Sequence, residues 1–434
     1  MNSIRLRSPG DVVAVLPYQL GYHPRDSLVV VALRDRAVVL VERLDLPAAE
    51  DVDKACRMLI PPLLHEAPDA VLLVVYETQE GGGRPALDAT RRELEPSGLT
   101  VLDRIVVRDG RWYAVDCETG CCPASGSPVP SAADTPAVAE FVGLGIAPLS
   151  GRAALADLVA ADPDRTPAVS AALARRAGRR GGLGRSARRF EALSLWAVAL
   201  GLRDAPTEAV AARRSAGVRV PARQARTQAD RAVVEALRPD QVAVLIESLR
   251  DLALRDALVA WLCPGSLPSD CLSPDVLDAV RTCLPSPGWS DGRPGGHRGR
   301  RPDGGSRSGR RGGGDPGGGG ELRGGGELRG GADLGDGCDL GERGSRDGTV
   351  DGRRYLVRLQ HLVRAVPDEH AAAPLTVLAN LAWWLGDGAL ARTCLERALD
   401  SEPDYRLALL LERMLDLGIR PGSSMQDSDG VRAG

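Results

Sequence analysis

Two neighbouring apolar stretches restrict most strongly the folds available to this chain. SLVVVALR spans residues 27–34 and AVVLVERLDL spans residues 37–46, with a short Asp35-Arg36 turn between them. Both are rich in β-branched residues, which favour strands, so the pair is predicted to form a hairpin. Their apolar residues do not alternate with polar ones, which indicates burial on both faces of a sheet. The N-terminal part of the chain is therefore predicted to be an α/β domain.

Other local signals extend this α/β domain over residues 1–126. Ser8 is predicted to cap a helix that ends at Gly21. Further helices are expected at 48–66, broken or kinked by Pro61-Pro62, and at 85–95. AVLLVVYE at 70–77 is a further strand, and Asp109-Gly110 predicts the turn of a second hairpin. The predicted fold is a mixed sheet with two hairpins and flanking helices.

The chain becomes helical and rich in alanine beyond this domain, over residues 127–284. One long helix is predicted at 239–262, where Asp251 and Arg255 are spaced for an i,i+4 ion pair on its surface. The other predicted helices cover 135–143, 151–161, 166–178, 186–201, 228–237 and 274–283.

Residues 285–352 form a low-complexity insertion in which glycine supplies 26 of 68 positions. This composition cannot bury enough apolar surface to offset chain entropy, so disorder is predicted here and in the tail at 421–434. Order is expected to return over 353–420. LTVLANLAWWLGDGALARTCLERALDSEPDY at 375–405 is typical of a tetratricopeptide repeat, whose two helices need neighbours to bury their apolar faces.

Bulk composition narrows the functional classes. The formal net charge of −3 gives no whole-chain bias towards nucleic acid or membrane. No apolar segment resembles a signal peptide or is long enough to span a bilayer. Nine cysteines, an odd number, suit a reducing compartment better than a disulfide framework. We therefore expect a cytoplasmic protein without a membrane partner.

Several segments together resemble a known family, the actinobacterial proteins that carry domain of unknown function 4192. These are LRSPGDVVAVLPYQLGYHPRDSLVVVAL (6–33), RLDLP (43–47), CCP-x-x-G (121–126), RDALVAWL (255–262) and the GDGALA…ERAL…P-x-Y block (386–405). The resemblance covers nearly the whole chain outside the insertion. It implies no activity and no catalytic residues, because that family is uncharacterised.

Three clustered cysteines form the first candidate site, within DCETGCCPASG at 116–126: Cys117, Cys121 and Cys122. A structural zinc usually takes four ligands from two C-x2-C pairs, whereas this run has C-x3-C-C spacing and no second pair. A fourth zinc ligand would have to come from Cys56, His23 or His65. The spacing favours plain thiols, with zinc and a redox disulfide involving Cys117 as alternatives of similar weight. No cofactor is predicted.

A polar cluster at one end of the first hairpin forms the second candidate site. If residues 27–46 pair as a hairpin, residues from GYHPRDS and RLDLP meet at its open end: His23, Arg25, Asp26, Ser27, Arg43 and Asp45. Such a cluster could bind an anionic ligand or perform acid–base chemistry. The simpler interpretation, which we favour, is a helix cap, a His-Pro turn and a salt bridge that closes the sheet end.

Two arginine-rich stretches form the third candidate, at 175–189 and 292–311. Each could contact phosphates of RNA or DNA, but a solvated surface is the simpler interpretation. No common catalytic motif is present, so an enzyme is not favoured. The sequence therefore predicts a binding or scaffolding protein with protein partners. Ligand or metal chemistry in the α/β domain and nucleic-acid binding remain the alternatives.

Overall fold

The computed structural model describes most of the 434-residue chain. An N-terminal mixed sheet covered by helices is followed by a helical region, which confirms the predicted fold class. None of the described helices is long and apolar enough to cross a membrane. The described residues are 4–6, 8–35, 37–117, 120, 122–143, 146–178, 184–203, 222–285, 338–340 and 346–419.

The sheet runs in the order β1-β8-β3-β2-β4-β5-β6-β7. Its strands are β1 (Ile4–Leu6), β2 (Ser27–Arg34), β3 (Ala37–Asp45), β4 (Ala70–Tyr76), β5 (Thr100–Arg108), β6 (Arg111–Ala114), β7 (Ser127–Pro128) and β8 (Cys338–Leu340). β4 and β5 are parallel, as are β3 and β8, whereas the other neighbours are antiparallel. Both predicted hairpins, β2-β3 and β5-β6, are present.

Helices cover both faces of this sheet. The first face packs against α1 (Pro9–Leu20) and α5 (Pro136–Gly143), and the second lies near α2 (Val52–Arg57), α3 (Ile60–His65) and α4 (Arg84–Leu94). Alternate side chains of β2 pack on opposite faces of the sheet, so that Val29 belongs to one hydrophobic core and Leu28 to the other. β2 is buried on both faces as predicted, but β3 is only half-buried. Among the described residues, the outer neighbour of β3 is the three-residue β8, which pairs with the first two residues of β3.

The helix ends follow local chemistry. The Ser8 hydroxyl accepts a hydrogen bond from the Asp11 amide at 3.2 Å, and Gly21 follows α1 with a φ of 80°. The predicted helix at 48–66 is divided between α2 and α3, with the break ahead of the proline pair. Pro61 and Pro62 lie in the first turn of α3, where a missing amide hydrogen removes no helical hydrogen bond.

The helical region has one hydrophobic core, which contains residues from both sides of the insertion. Leu284 precedes the insertion and Tyr355 follows it, and both side chains are buried in this core. The helices are α6 (Ala153–Val159), α7 (Thr166–Ala177), α8 (Arg185–Ala199), α9 (Ala222–Glu235), α10 (Pro239–Ser248), α11 (Leu252–Leu262), α12 (Pro274–Cys283), α13 (Arg346–Val363), α14 (Ala372–Trp384), α15 (Gly388–Ser401) and α16 (Arg406–Asp416).

The prediction of a single helix at 239–262 is wrong. The structure has two helices there, α10 and α11, and Asp251 occupies the N-cap position of α11. The predicted ion pair between Asp251 and Arg255 is also wrong. Asp251 instead accepts from Arg189 of α8 at 2.7 Å, and Arg255 donates to the adjacent Asp256 at 2.8 Å.

Most of the segment predicted to be disordered lies outside the described residues, as does the tail from residue 420. Within that segment, β8 pairs with β1 and with β3. α13 begins at Arg346, ahead of the boundary predicted at 353. The N-terminal sheet therefore contains a strand that is distant from it in the sequence.

Candidate functional site

The end of the first hairpin brings three of the six predicted residues together. The antiparallel register places Ser27 opposite Asp45, two positions beyond Arg43 on β3. The Arg43 Nε and Nη2 atoms donate to Ser27 Oγ at 3.0 and 2.7 Å, and Nη2 also pairs with the Asp45 carboxylate. The buried Ser27 hydroxyl donates in turn to the Arg25 carbonyl oxygen. Ser27, Arg43 and Asp45 therefore form one connected cluster.

The other three predicted side chains lie apart from this cluster. His23 is exposed, and its backbone amide donates to the Leu149 carbonyl at 2.9 Å. Arg25 contributes its backbone carbonyl, while its side chain faces solvent. The Asp26 carboxylate accepts from the amide and hydroxyl of Thr78 at 2.8 and 3.0 Å, beyond the end of β4.

Charged contacts extend the cluster to the helical region. One guanidinium nitrogen of Arg152 donates to Asp45 at 2.9 Å, and the other donates to Glu396 of α15 at 2.6 Å. Arg43 also lies over the ring of buried Tyr22, 5.9 Å from its centroid. Burial raises the pKa of the Tyr22 phenol, an effect that the charge of Arg43 partly offsets. The arrangement joins the sheet end to the helices through ion pairs.

Hydrogen bonding in the cluster favours the structural interpretation over a ligand site. The Ser27 hydroxyl donates one hydrogen bond and accepts two, which uses its full capacity. The Arg43 guanidinium is directed at Ser27 and Asp45 of its own chain. A ligand at this position would have to displace these contacts. Ligand binding here stays a prediction.

The cysteine cluster is described only in part. Cys117 and Cys122 are half-buried, and Cys121 lies outside the described residues. Of the possible fourth zinc ligands, Cys56 is fully buried with its thiol 3.7 Å from the Ala86 carbonyl, while His23 and His65 are exposed. Within the described ranges, no group of three or more histidine, cysteine or acidic residues could hold a metal ion.

The CCP-x-x-G segment contains a tight turn. The Gly126 amide donates to the Pro123 carbonyl at 2.8 Å, and Gly126 has a φ of 70°. Arg111 at the start of β6 donates to the carbonyls of Ser125 and Gly126 at 2.8 and 2.7 Å. A methyl group on Gly126 would lie 2.6 Å from the Tyr113 ring. Glycine at this position is therefore explained by backbone conformation and by packing against β6.

The described arginines of the 175–189 stretch are largely engaged in ion pairs. Arg175 pairs with Asp240 at 3.0 Å, Arg176 with Glu247 at 2.7 Å, and Arg189 with the carboxylate at the start of α11. These pairs hold α7 and α8 against α10 and α11, which favours a structural role. Residues 179–183 and the whole of 292–311 lie outside the described residues.

Sequence reasoning missed an open groove of about 470 Å³ between α6 and α15. One wall is a single face of α15, and the other consists mainly of small residues around the end of α6. The only signal in the sequence was Glu396 and Asp400, two acids spaced to share a helix face. The residues that line the groove are Ala156, Val159, Ala160, Ala161, Asp368, Thr393, Glu396, Arg397, Asp400 and Ser401.

Comparison with known families agrees with the sequence resemblance. Residues 9–269 and 352–422 match the family described as Domain of unknown function (DUF4192). The unmatched stretch between them, 270–351, contains nearly all of the low-complexity insertion. A search of curated proteins and a search of solved structures each found no match. Because the two matched segments cover most of its length, the chain belongs to the DUF4192 family.

Proposed function

We propose that this protein is a non-enzymatic binding protein of the cytoplasm that holds a partner protein through its helical surface. The observation that supports the proposal is the open groove between α6 and α15. The cytoplasmic location is supported by the odd number of cysteines, nine.

The helix pair that supplies one wall of the groove has features of a tetratricopeptide unit. Gly386 turns the chain between α14 and α15 with a φ of 83°, and Asp387 caps α15 by accepting from the Leu390 amide. Ala379 and Ala391 are fully buried, and such small side chains allow two helices to approach closely. Helical repeats commonly bind partners through a surface made by successive units.

The charges of the groove indicate the chemistry of the partner. Asp368, Glu396 and Asp400 are exposed carboxylates at the groove. Glu396 is paired with Arg152, whereas Asp400 makes no ion pair among the described residues and is the carboxylate open to a partner. Arg397, the one cation among the described residues that line the groove, is already engaged with Asp368 at 2.6 Å and with two backbone carbonyls, including that of Val159. The groove therefore favours a short basic segment, with small residues where it crosses the alanine wall.

A displayed library of random peptides, selected on the full chain, tests this proposal. The expected result is enrichment of peptides that contain arginine or lysine, with binding that weakens as salt is added. Asp400→Arg reverses one groove charge. It is expected to weaken binding of the selected peptide about tenfold, which corresponds to about 1.4 kcal/mol.

Asp404→Arg is the matched control, because Asp404 is exposed just beyond α15 and does not line the groove. It changes the net charge of the protein by the same amount. The proposal fails if the selected peptides carry no basic residues, or if both variants weaken binding equally.

A further inference from the structure

A second cavity, of about 220 Å³, lies within the helical region and is separate from the groove. It is partly open to solvent and is bordered by the segment after α6, by α9 and by α13, and the Arg231 side chain at its edge is 59% exposed. The polar residues that line it are Asp162, Arg165, Arg231, Glu235, His361 and Arg364. Residues on both sides of the insertion therefore contribute to its wall.

The three guanidinium groups in this wall retain hydrogen-bonding capacity. Arg165 donates to the Val234 carbonyl at 3.2 Å, Arg364 to the Asp157 carbonyl at 2.6 Å, and Arg231 to Glu235 at 2.5 Å. Each guanidinium carries five N–H donors, and within the described residues each uses one of them in a hydrogen bond. The wall can therefore offer further donors to a bound group.

Positive charge exceeds negative charge around the cavity. Three arginines face two carboxylates, and one of these, Asp162, also accepts from the Asp164 amide at 3.0 Å. Burial lowers the pKa of Arg165, an effect that the carboxylates of Asp162 and Glu235 only partly offset. Burial and the neighbouring arginines also lower the pKa of His361, so the imidazole is held neutral. A negative ligand would relieve this excess charge.

The cavity size and the number of arginines define the class of ligand. A volume of about 220 Å³ lies below the roughly 300–1,000 Å³ typical of drug-sized ligands, so the ligand must be small. Guanidinium groups match the oxygens of phosphate and carboxylate. The three guanidinium groups together offer more N–H donors than the two oxygens of one carboxylate can accept. We infer that this cavity binds a small tetrahedral oxyanion of the phosphate type, held by Arg165, Arg231 and Arg364.

NMR titration of the histidines in the full chain provides the first test. Inorganic phosphate, added at constant ionic strength, is expected to raise the pKa of His361 because it offsets the charge of the three arginines. Exposed His65, which lies in neither the cavity nor the hairpin-end cluster, is the internal reference. An unchanged His361 titration at millimolar phosphate would overturn the inference. This measurement needs no variant, so a folding defect cannot obscure it.

Calorimetry with inorganic phosphate provides the second test. Arg165→Gln and Arg364→Gln are each expected to weaken binding about tenfold or more, because each removes charge-assisted hydrogen bonds. Arg188→Gln is the control, since Arg188 is exposed and does not line the cavity. Equal phosphate affinity in the wild type and both cavity variants would show that phosphate binds elsewhere.

Adenosine monophosphate distinguishes the possible sources of the phosphate group. Binding of free phosphate alone identifies an inorganic ion as the ligand, whereas comparable binding of the nucleotide identifies a phosphate ester. Either result supports the inference if the binding is lost in Arg165→Gln. Binding of neither compound contradicts it.

Discussion

Arg358 of α13 and Asp230 of α9 form an ion pair that is buried on both sides. The Arg358 Nε and Nη2 atoms donate to the same carboxylate oxygen, at 2.8 and 2.5 Å, and each side chain is only 5% exposed. Burial lowers the pKa of Arg358, although the carboxylate of Asp230 favours its charged form. The two residues lie on opposite sides of the insertion, so the pair contributes to holding these two parts of the chain together.

Removing one member of this pair should destabilise the protein strongly. Asp230→Asn leaves the Arg358 guanidinium buried without a counter-charge, which costs about 3–5 kcal/mol. The expected result is a lower urea midpoint with an unchanged dependence of free energy on urea. The double variant Asp230→Leu with Arg358→Leu should recover part of the loss, because no buried charge remains.

The control for this prediction is Asp278→Asn, whose carboxylate pairs with Arg281 at 3.6 Å on the surface of α12. An exposed pair of this kind contributes at most about 1 kcal/mol. The interpretation of Asp230 is wrong if both single variants have similar effects on the unfolding midpoint.

Glu42 should make stability depend on pH. Its side chain extends from β3, and one carboxyl oxygen is buried with no hydrogen-bond partner among the described residues. Burial raises its pKa to about 8, whereas glutamate in an unfolded chain titrates near 4.3. Between these values the folded protein retains a proton that the unfolded chain releases. Glu42 therefore lowers stability as pH rises through this window, by up to about 1.4 kcal/mol per unit.

Denaturation of Glu42→Gln at several pH values tests this expectation. The variant should show a flatter dependence of unfolding free energy on pH between about 5 and 8, and greater stability than the wild type at pH 8. Glu50→Gln, at an exposed position, should retain the wild-type dependence. A Glu42→Gln profile parallel to the wild type would contradict the assignment.

Gly126→Ala should weaken the turn that follows the cysteines. Alanine would adopt a φ of 70° at a cost of about 1–2 kcal/mol, and its methyl group would also collide with Tyr113. Gly120→Ala provides a comparison, because Gly120 has a φ of 69° and open space around the new methyl group. Thermal unfolding should therefore show a larger loss for Gly126→Ala, and equal losses would exclude the packing contribution.

Ser27→Ala tests whether the hairpin end is structural. Loss of the hydroxyl leaves Arg43 without its buried acceptor, for which we expect a destabilisation of about 1–3 kcal/mol in chemical denaturation. Ser170→Ala is the control, since that hydroxyl makes one exposed hydrogen bond, to Glu369. A Ser27→Ala protein with wild-type stability would make a ligand-binding role the better explanation.

Local chemistry accounts for the parts of the fold that the sequence predicted correctly. Asp109 and Gly110 both have positive φ, of 52° and 71°, as a two-residue hairpin turn requires. Ser8 and Gly21 mark the two ends of α1 for similarly local reasons. In each case the decisive interaction lies within a few residues, so a short segment contains the necessary information.

Long-range contacts account for what the sequence could not predict. Asp251 has an arginine four positions later, yet in the folded chain its carboxylate accepts a hydrogen bond from Arg189 of α8. β8 lies in a stretch whose composition indicates disorder, and its pairing depends on strands near the N-terminus. The groove and the cavity each join segments that are distant in sequence. Their chemistry is visible only when those segments are placed together.

The shared core that contains Leu284 and Tyr355 has a consequence for the integrity of the molecule. Side-chain packing joins the helices before the insertion to those after it, independently of the peptide linkage between them. A single backbone cleavage within residues 290–335 should therefore yield two polypeptides that remain associated and migrate as one species until denatured. The chain offers a site at which it could be expressed as two complementary fragments.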